Sequence, residues 1–389
     1  MKKTLLTICL TWMCFSLSAQ KIIDLSGKWS FSIDRQDNGE KEKWFSHTLN
    51  DCINLPGSMP EKLKGDEVTA KTQWTGSLYD SSYYYNPYME KYRKEGNIKF
   101  PFFLTPDKHY VGAAWYQKEV NIPADWKGER ILLFLERPHI ETTVWVNGQK
   151  TGMQNSLCVP HQYDITRYVR PGKCTITIRV DNRIKEINVG PDSHSITDQT
   201  QGNWNGIVGR ICLQTTPKTY FDDIQIYPEP EQKLARVKVV IKGTGTAKVK
   251  LSAESFNTDK KHIVPAIQQE IKLNKGVTET EMVLPMGNDM LLWDEFHPAL
   301  YKLKAEVTNG KKTEIKEIQF GMRRFEIKGK WFYVNGRKTQ LRGTVENCDF
   351  PLTGYAPMDV ESWERVFRIC RSYGLNHMRF HSCLLYTSP

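Results

Sequence analysis

Cysteine is scarce and unpatterned in this sequence. Nine occur among 389 residues, and those beyond the first twenty positions (Cys52, Cys158, Cys174, Cys212, Cys348, Cys370 and Cys383) are scattered without Cys-x-x-Cys spacing. That excludes a zinc ribbon or a disulfide scaffold, leaves room for one bridge at most, and makes buried free thiols the expectation. A run of basic residues is also lacking. The net charge is +10, yet the lysines are interspersed with Glu and Asp, so the charge reads as a solvated surface with no nucleic-acid partner. There is no internal repeat and no low-complexity linker. No later stretch is apolar enough for a membrane span.

The first twenty residues read as a targeting segment. Lys2-Lys3 is a charged start, Leu5 to Leu17 an apolar run too short to cross a bilayer, and Ser16-Leu-Ser-Ala19 a small-residue cleavage zone. A signal peptide over residues 1–20 and export to a periplasmic or extracellular location follow as expectations. Cys14 follows Met13 and not a small residue, which argues against a lipid anchor.

Downstream, strand patterns dominate. Leu25-Ser-Gly-Lys-Trp-Ser-Phe-Ser-Ile33 alternates after a turn, and Thr143-Val-Trp-Val-Asn-Gly148 is a strand running into an Asn-Gly hairpin. Ile176, Ile178 and Val180 alternate with Thr177 and Arg179, as on a half-buried antiparallel strand. Residues 21–218 therefore read as an all-β sandwich of jelly-roll size. The tyrosine-rich run from Tyr79 to Tyr92 suits either sugar stacking or rings packed on the sandwich, and packing is the expectation. Val249, Leu251 and Ala253 alternate with Lys248, Lys250 and Ser252, and the pattern recurs from Tyr301 to Val307. Residues 219–322 thus read as an immunoglobulin-like sandwich.

From Trp331 to His381 the period changes. A strand and loop precede a helix capped by Asp359, with Trp363, Val366, Phe367 and Cys370 on one face and Gly374 at its end. A second strand then puts His377, Arg379 and His381 on one side and Met378 and Phe380 on the other. Residues 323–382 read as the first βαβ unit of an incomplete (β/α)₈ barrel, whose chemistry would gather at the strands' C-terminal ends. One such unit cannot close a barrel, so its helix should lack most of its partners. The last residues, 383–389, break the pattern and read as a foreign tail.

These stretches resemble glycoside hydrolase family 2, the β-galactosidase, β-glucuronidase and β-mannosidase family. The resemblance runs through Leu25-Ser-Gly-Lys-Trp29, Ala114-Trp-Tyr116, Val144-Trp-Val-Asn-Gly148, Tyr163-Asp-Ile-Thr166 and Trp204-Asn-Gly-Ile-Val-Gly209. It continues in Leu292-Trp293, Pro298-Ala-Leu-Tyr301, Phe320-Gly-Met-Arg323, Leu341-Arg-Gly343 and Gly374-Leu-Asn376. It implies a retaining exo-β-glycosidase, β-galactosidase-like, acting on terminal β-linked sugars of an oligo- or polysaccharide, and the targeting segment adds the expectation of export. The alternatives are a β-glucuronidase, a β-mannosidase or a noncatalytic carbohydrate-binding scaffold. Retention needs two carboxylates about 5–5.5 Å apart. In the family the acid/base Glu follows an Asn at the end of barrel strand four and the nucleophile Glu ends strand seven; the pattern here reaches strand two and holds no Asn-Glu dipeptide, so neither catalytic Glu is expected within this chain.

Sugar-contacting candidates by the same resemblance are Asn347, Asp349, Arg379 and His381. Glu346-Asn-Cys-Asp349 departs from the run typical of β-galactosidases, which puts the sugar's identity in question more than the reaction. Arg342 reads as structural, the Asp294-Glu295 pair as a solvated turn, and Trp204 as a core or interface anchor. No cofactor is evident; some relatives use Mg²⁺ or Na⁺ near the site, and no ligand set is visible. An oligomer is left open.

Overall fold

A computed structural model describes residues 21–75, 80–101, 103–157, 159–185, 198, 202–347, 350 and 352–381. The expected signal peptide, the foreign tail, Asp349, and the thiols of Cys158, Cys348 and Cys383 lie outside these. Cys52, Cys174, Cys212 and Cys370 are free thiols. Contacts divide the chain into two units, one built on residues 21–216 with 327–333 and 337 onward, the other on residues 217–326 with 334–336.

In the first unit the alternating strands build two antiparallel sheets. One sheet runs β1 (Ile22–Asp24), β10 (Gly206–Thr216), β5 (Arg130–Pro138) and β8 (His161–Asp164), with Gly57–Ser58 also pairing on β10. The other runs β7 (Gln149–Asn155), β6 (Glu141–Val146), β9 (Gly172–Asp181), β4 (Ala113–Ile122), β2 (Gly27–Asp34) and β3 (Asp51–Leu55). Trp29, Phe31, Tyr116, Ile178, Ile207 and Leu213 fill the core between them. The hairpin joining β6 to β7 has Asn147 and Gly148 both at positive φ, the conformation that turn demands.

The expectation of a half-buried β9 needs correcting. Thr177, Arg179 and Asp181 are as buried as Ile176, Ile178 and Val180. The reason is an ionic layer on the outer face: Arg179 is bonded to Asp37, Glu141 and Asp181, while Arg183 and Lys185 close over Asp181. Of the tyrosine-rich run, Tyr83 packs as expected, stacked on Phe100 at 4.7 Å. Tyr85 and Tyr88 do not; they are 71% and 84% exposed.

Two buried histidines give the sandwich a pH dependence. Burial lowers His139 from the ordinary 6.5 to about 3, and His161 to about 4. Both stay neutral when folded at pH values where the unfolded chain charges them. Their contribution is intact above about pH 6.5 and is lost as pH falls toward 4, because the unfolded state then binds more protons. Unfolding titrations from pH 7 to 4.5 should therefore show stability falling with a slope approaching about 2.7 kcal/mol per pH unit for two histidines. A flat profile would show that these side chains are hydrated.

The second unit is an immunoglobulin-like sandwich. β11 (Tyr220–Glu229), β12 (Leu234–Phe256), β14 (Leu300–Asn309) and β15 (Lys312–Phe320) are paired in that order, and β13 (Ile263–Pro285) pairs along β12. Val249, Leu251, Tyr301, Leu303, Ala305 and Val307 point into its core, as their alternation requires. Asp294 Oδ1 accepts from the amides of Phe296 and His297, so the Asp294-Glu295 pair is the turn that the sequence suggested.

Candidate functional site

Two short strands and a helix follow within the first unit. β16 (Gly343–Glu346) and β17 (His377–Phe380) pair in parallel, with Val345 opposite Arg379 and Glu346 opposite Phe380. Between them lies α1 (Val360–Ser372). Asp359 caps α1 through Oδ1, which accepts from Ser362 N at 2.7 Å, and Gly374 takes φ 76° just beyond the last turn. These local signals act as the sequence implied.

Parallel pairing puts the C-terminal ends of both strands side by side. The amide of His381 donates to the carbonyl of Glu346 at 2.9 Å, which brings His381 beside the strand end that carries Asn347. Arg379 and Val345 alternate away from the face that holds Phe380, where Trp363 of α1 meets the Phe380 ring at 5.4 Å. Asn347 lines a cleft of about 710 Å³ with Glu346, Phe350, Glu361, Trp363 and Arg365. Three of the four sugar-contacting candidates, Asn347, Arg379 and His381, are thus on neighbouring strand ends; Asp349 is outside the described residues. Arg342 is structural: its Nε donates to the carbonyl of Gly374, and its backbone pairs with Asn376.

The helix is only partly covered. Trp363, Val366 and Cys370 are half-buried, but none of its residues is buried, and Phe367, on the face expected to be covered, is 46% exposed.

The sequence reading missed what holds the loop between β16 and α1. The Ser58 hydroxyl donates to the carbonyl of Thr353, and the Tyr355 hydroxyl donates to Glu61 Oε2 at 2.7 Å. Tyr355 lies 5.5 Å from the Trp204 ring, so Trp204 is an interface anchor, as one of the two expectations had it. Burial pushes the Glu61 carboxyl up, but the bonds from Lys62 and Tyr355 outweigh it and hold the pKa below the usual range. Burial, then the neighbouring Glu61, pushes the Tyr355 phenol well above its usual range. No local pattern marks these pairs, since their members stand some 295 residues apart for Ser58 and Thr353.

Among the described residues no group of three or more His, Cys, Asp or Glu side chains is arranged to hold a metal ion. No helix of the described residues is long and apolar enough to cross a membrane.

The sheets of the two units define a mainly β protein of more than one domain. The profile of the sugar-binding domain of glycosyl hydrolases family 2 matches residues 22–217, and a second profile of that family matches residues 219–323. The chain belongs to glycosyl hydrolase family 2. It is 24% identical over 355 residues to a β-glucuronidase of Paenibacillus borealis, covering 86% of this chain and 51% of that protein. It is 24% identical over 301 residues to a β-galactosidase of Thermoanaerobacter pseudethanolicus, covering 73% of this chain and 38% of that protein. Among solved structures, the Ruminococcus gnavus β-glucuronidase in complex with D-glucuronic acid superposes with a TM-score of 0.65 at 19% identity, over 93% of this chain and 56% of that one. The chain spans about half the length, or less, of these curated relatives.

Proposed function

We propose that this chain is the front part of an exported retaining exo-β-glycosidase that removes terminal β-linked sugars from oligo- or polysaccharides. Its domains on this reading are the sugar-binding sandwich over residues 21–218, the immunoglobulin-like sandwich over 219–322, and the opening of a (β/α)₈ barrel over 323–382. The observation that carries the reading is the parallel pairing of β16 with β17 around α1, with Asn347 and His381 at the shared C-terminal end. In a closed barrel that end hosts the chemistry.

In this assignment Asn347, Asp349, Arg379 and His381 bind the sugar. The acid/base and nucleophile carboxylates come from later barrel strands of the longer protein. Arg379, on the face away from α1, presents a planar guanidinium suited to orienting those carboxylates. The sugar proposed is β-galactoside; β-glucuronide is the second reading, favoured by the names of the relatives from Paenibacillus and Ruminococcus.

The test is a panel of p-nitrophenyl β-glycosides offered to this chain and to the protein extended along its reading frame. Hydrolysis by the extended protein alone is the expected result, and the preferred glycoside names the sugar. An extended protein that cleaves none of the panel would overturn the reading.

A further inference from the structure

The loop between β16 and α1 is gripped from two sides. On the helix side, Phe350 and Ala356 pack with Trp363 and Phe380, and Trp363 Nε1 donates to the carbonyl of Pro357 at 2.8 Å. On the sandwich side the grip has three points. Ser58, fully buried and held on β10 through its pairing with Gly206, donates its hydroxyl to the Thr353 carbonyl. Gly354 lies flat against Trp204, where φ is +82° and a Cβ would come within 2.9 Å of the indole. Tyr355 ends the contact on Glu61, whose other carboxylate oxygen is tied to Lys62 Nζ at 2.5 Å.

Each point uses a different physical constraint: a hydrogen bond to backbone, a steric fit that admits only glycine, and a hydrogen bond to an ionised acceptor. Three contacts on the consecutive residues Thr353, Gly354 and Tyr355 hold this part of the loop against the sandwich. The turn closed by Gly354 N on the Phe350 carbonyl at 2.7 Å ties the clamp to Phe350, which packs with Trp363 and Phe380 and lines the same cleft as Asn347. Asn347 stands at the end of β16, three positions before Phe350.

We propose that Glu61 and Tyr355 are positioning residues through which the sandwich sets where the sugar-contacting end of β16 stands. This rests on the reading of Asn347 as a sugar contact given under Proposed function. The sandwich is then part of the site's alignment and more than an attached binding module. A side chain placed an ångström out of line costs rate without any loss of fold.

Two measurements test it. On the 389-residue chain, hydrogen exchange at the Gly354 amide should be slow, and at least about tenfold faster in Tyr355→Phe and Glu61→Ala, with β10 amides unchanged. Glu61→Gln keeps an acceptor for the Tyr355 hydroxyl and should restore slow exchange. Fast exchange at Gly354 in the unsubstituted chain overturns the clamp. On the extended enzyme, Tyr355→Phe should lower kcat/KM by about 10- to 100-fold at an unchanged sandwich Tm, and Glu61→Gln should stay near the unsubstituted value. A lowered Tm with unchanged kinetics would assign the pair a purely structural role and overturn the proposal alone. An extended enzyme with no glycosidase activity would overturn the functional reading and the positioning role with it.

Discussion

Asp181→Ala should lower the stability of the sandwich by about 3–5 kcal/mol, the cost of stripping one partner from a buried ionic cluster. Asp181 is fully buried. Its Oδ1 accepts from the Arg183 backbone at 3.0 Å, and its Oδ2 from Arg179 at 2.9 Å, Arg183 at 2.6 Å and Lys185 at 2.7 Å. Burial would raise this carboxyl, but Arg183, Lys185 and Arg179 together hold it well below the carboxylate range. A depressed folded pKa contributes stability that is present above the unfolded value of 3.8 and lost as pH falls below it, so the effect of the substitution should shrink in strong acid. Removing Asp181 leaves Arg179, 7% exposed, with Asp37 and Glu141 as its remaining acidic partners among the described residues. Trp29, Trp115, Trp126, Trp145 and Trp204 are buried in this unit, so tryptophan emission during urea unfolding reads its loss. A shift under about 1 kcal/mol would mean the cluster is solvated like a surface pair.

Trp204→Ala is the second large effect, about 3–5 kcal/mol, from the lost contacts and the cavity an indole leaves behind. Trp204 is 1% exposed and stacked on His139 at 4.7 Å and 17°. Its Nε1 makes no hydrogen bond among the described residues. Trp204→Phe should therefore cost far less than Trp204→Ala, because no bond is broken and a buried N–H is removed. Equal losses from the two variants would show that the indole nitrogen has a partner. The same urea titration checks this pair.

What was legible in the sequence was local or periodic. Asn147-Gly148 specifies its own turn, Asp359 its own cap, and the alternation from Tyr301 to Val307 one face of a sheet. The order of the two sandwiches followed from such strand patterns, and the resemblance added the family. Two things escaped. The burial of Arg179 draws on Asp37 and Glu141, far away in sequence, and alternation assigns charged residues to solvent by default. The clamp depends on residues near Ser58 meeting residues near Thr353, and an isolated Ser, Glu or Tyr carries no sign of its partner. For the candidate site the strand ends were readable from period and turn chemistry, whereas the support behind them was not.

We propose this chain as the aligning front end of a retaining glycosidase, with the catalytic carboxylates carried by a longer protein. This assignment is tested most directly by trapping. An activated fluoro-glycoside that stalls at the covalent glycosyl-enzyme stage would be incubated with the 389-residue chain and with the extended protein, and intact masses compared. The account predicts one added glycosyl group on the extended protein, on a glutamate beyond His381, and none on the shorter chain. Specific labelling of a carboxylate within residues 21–381 would contradict it.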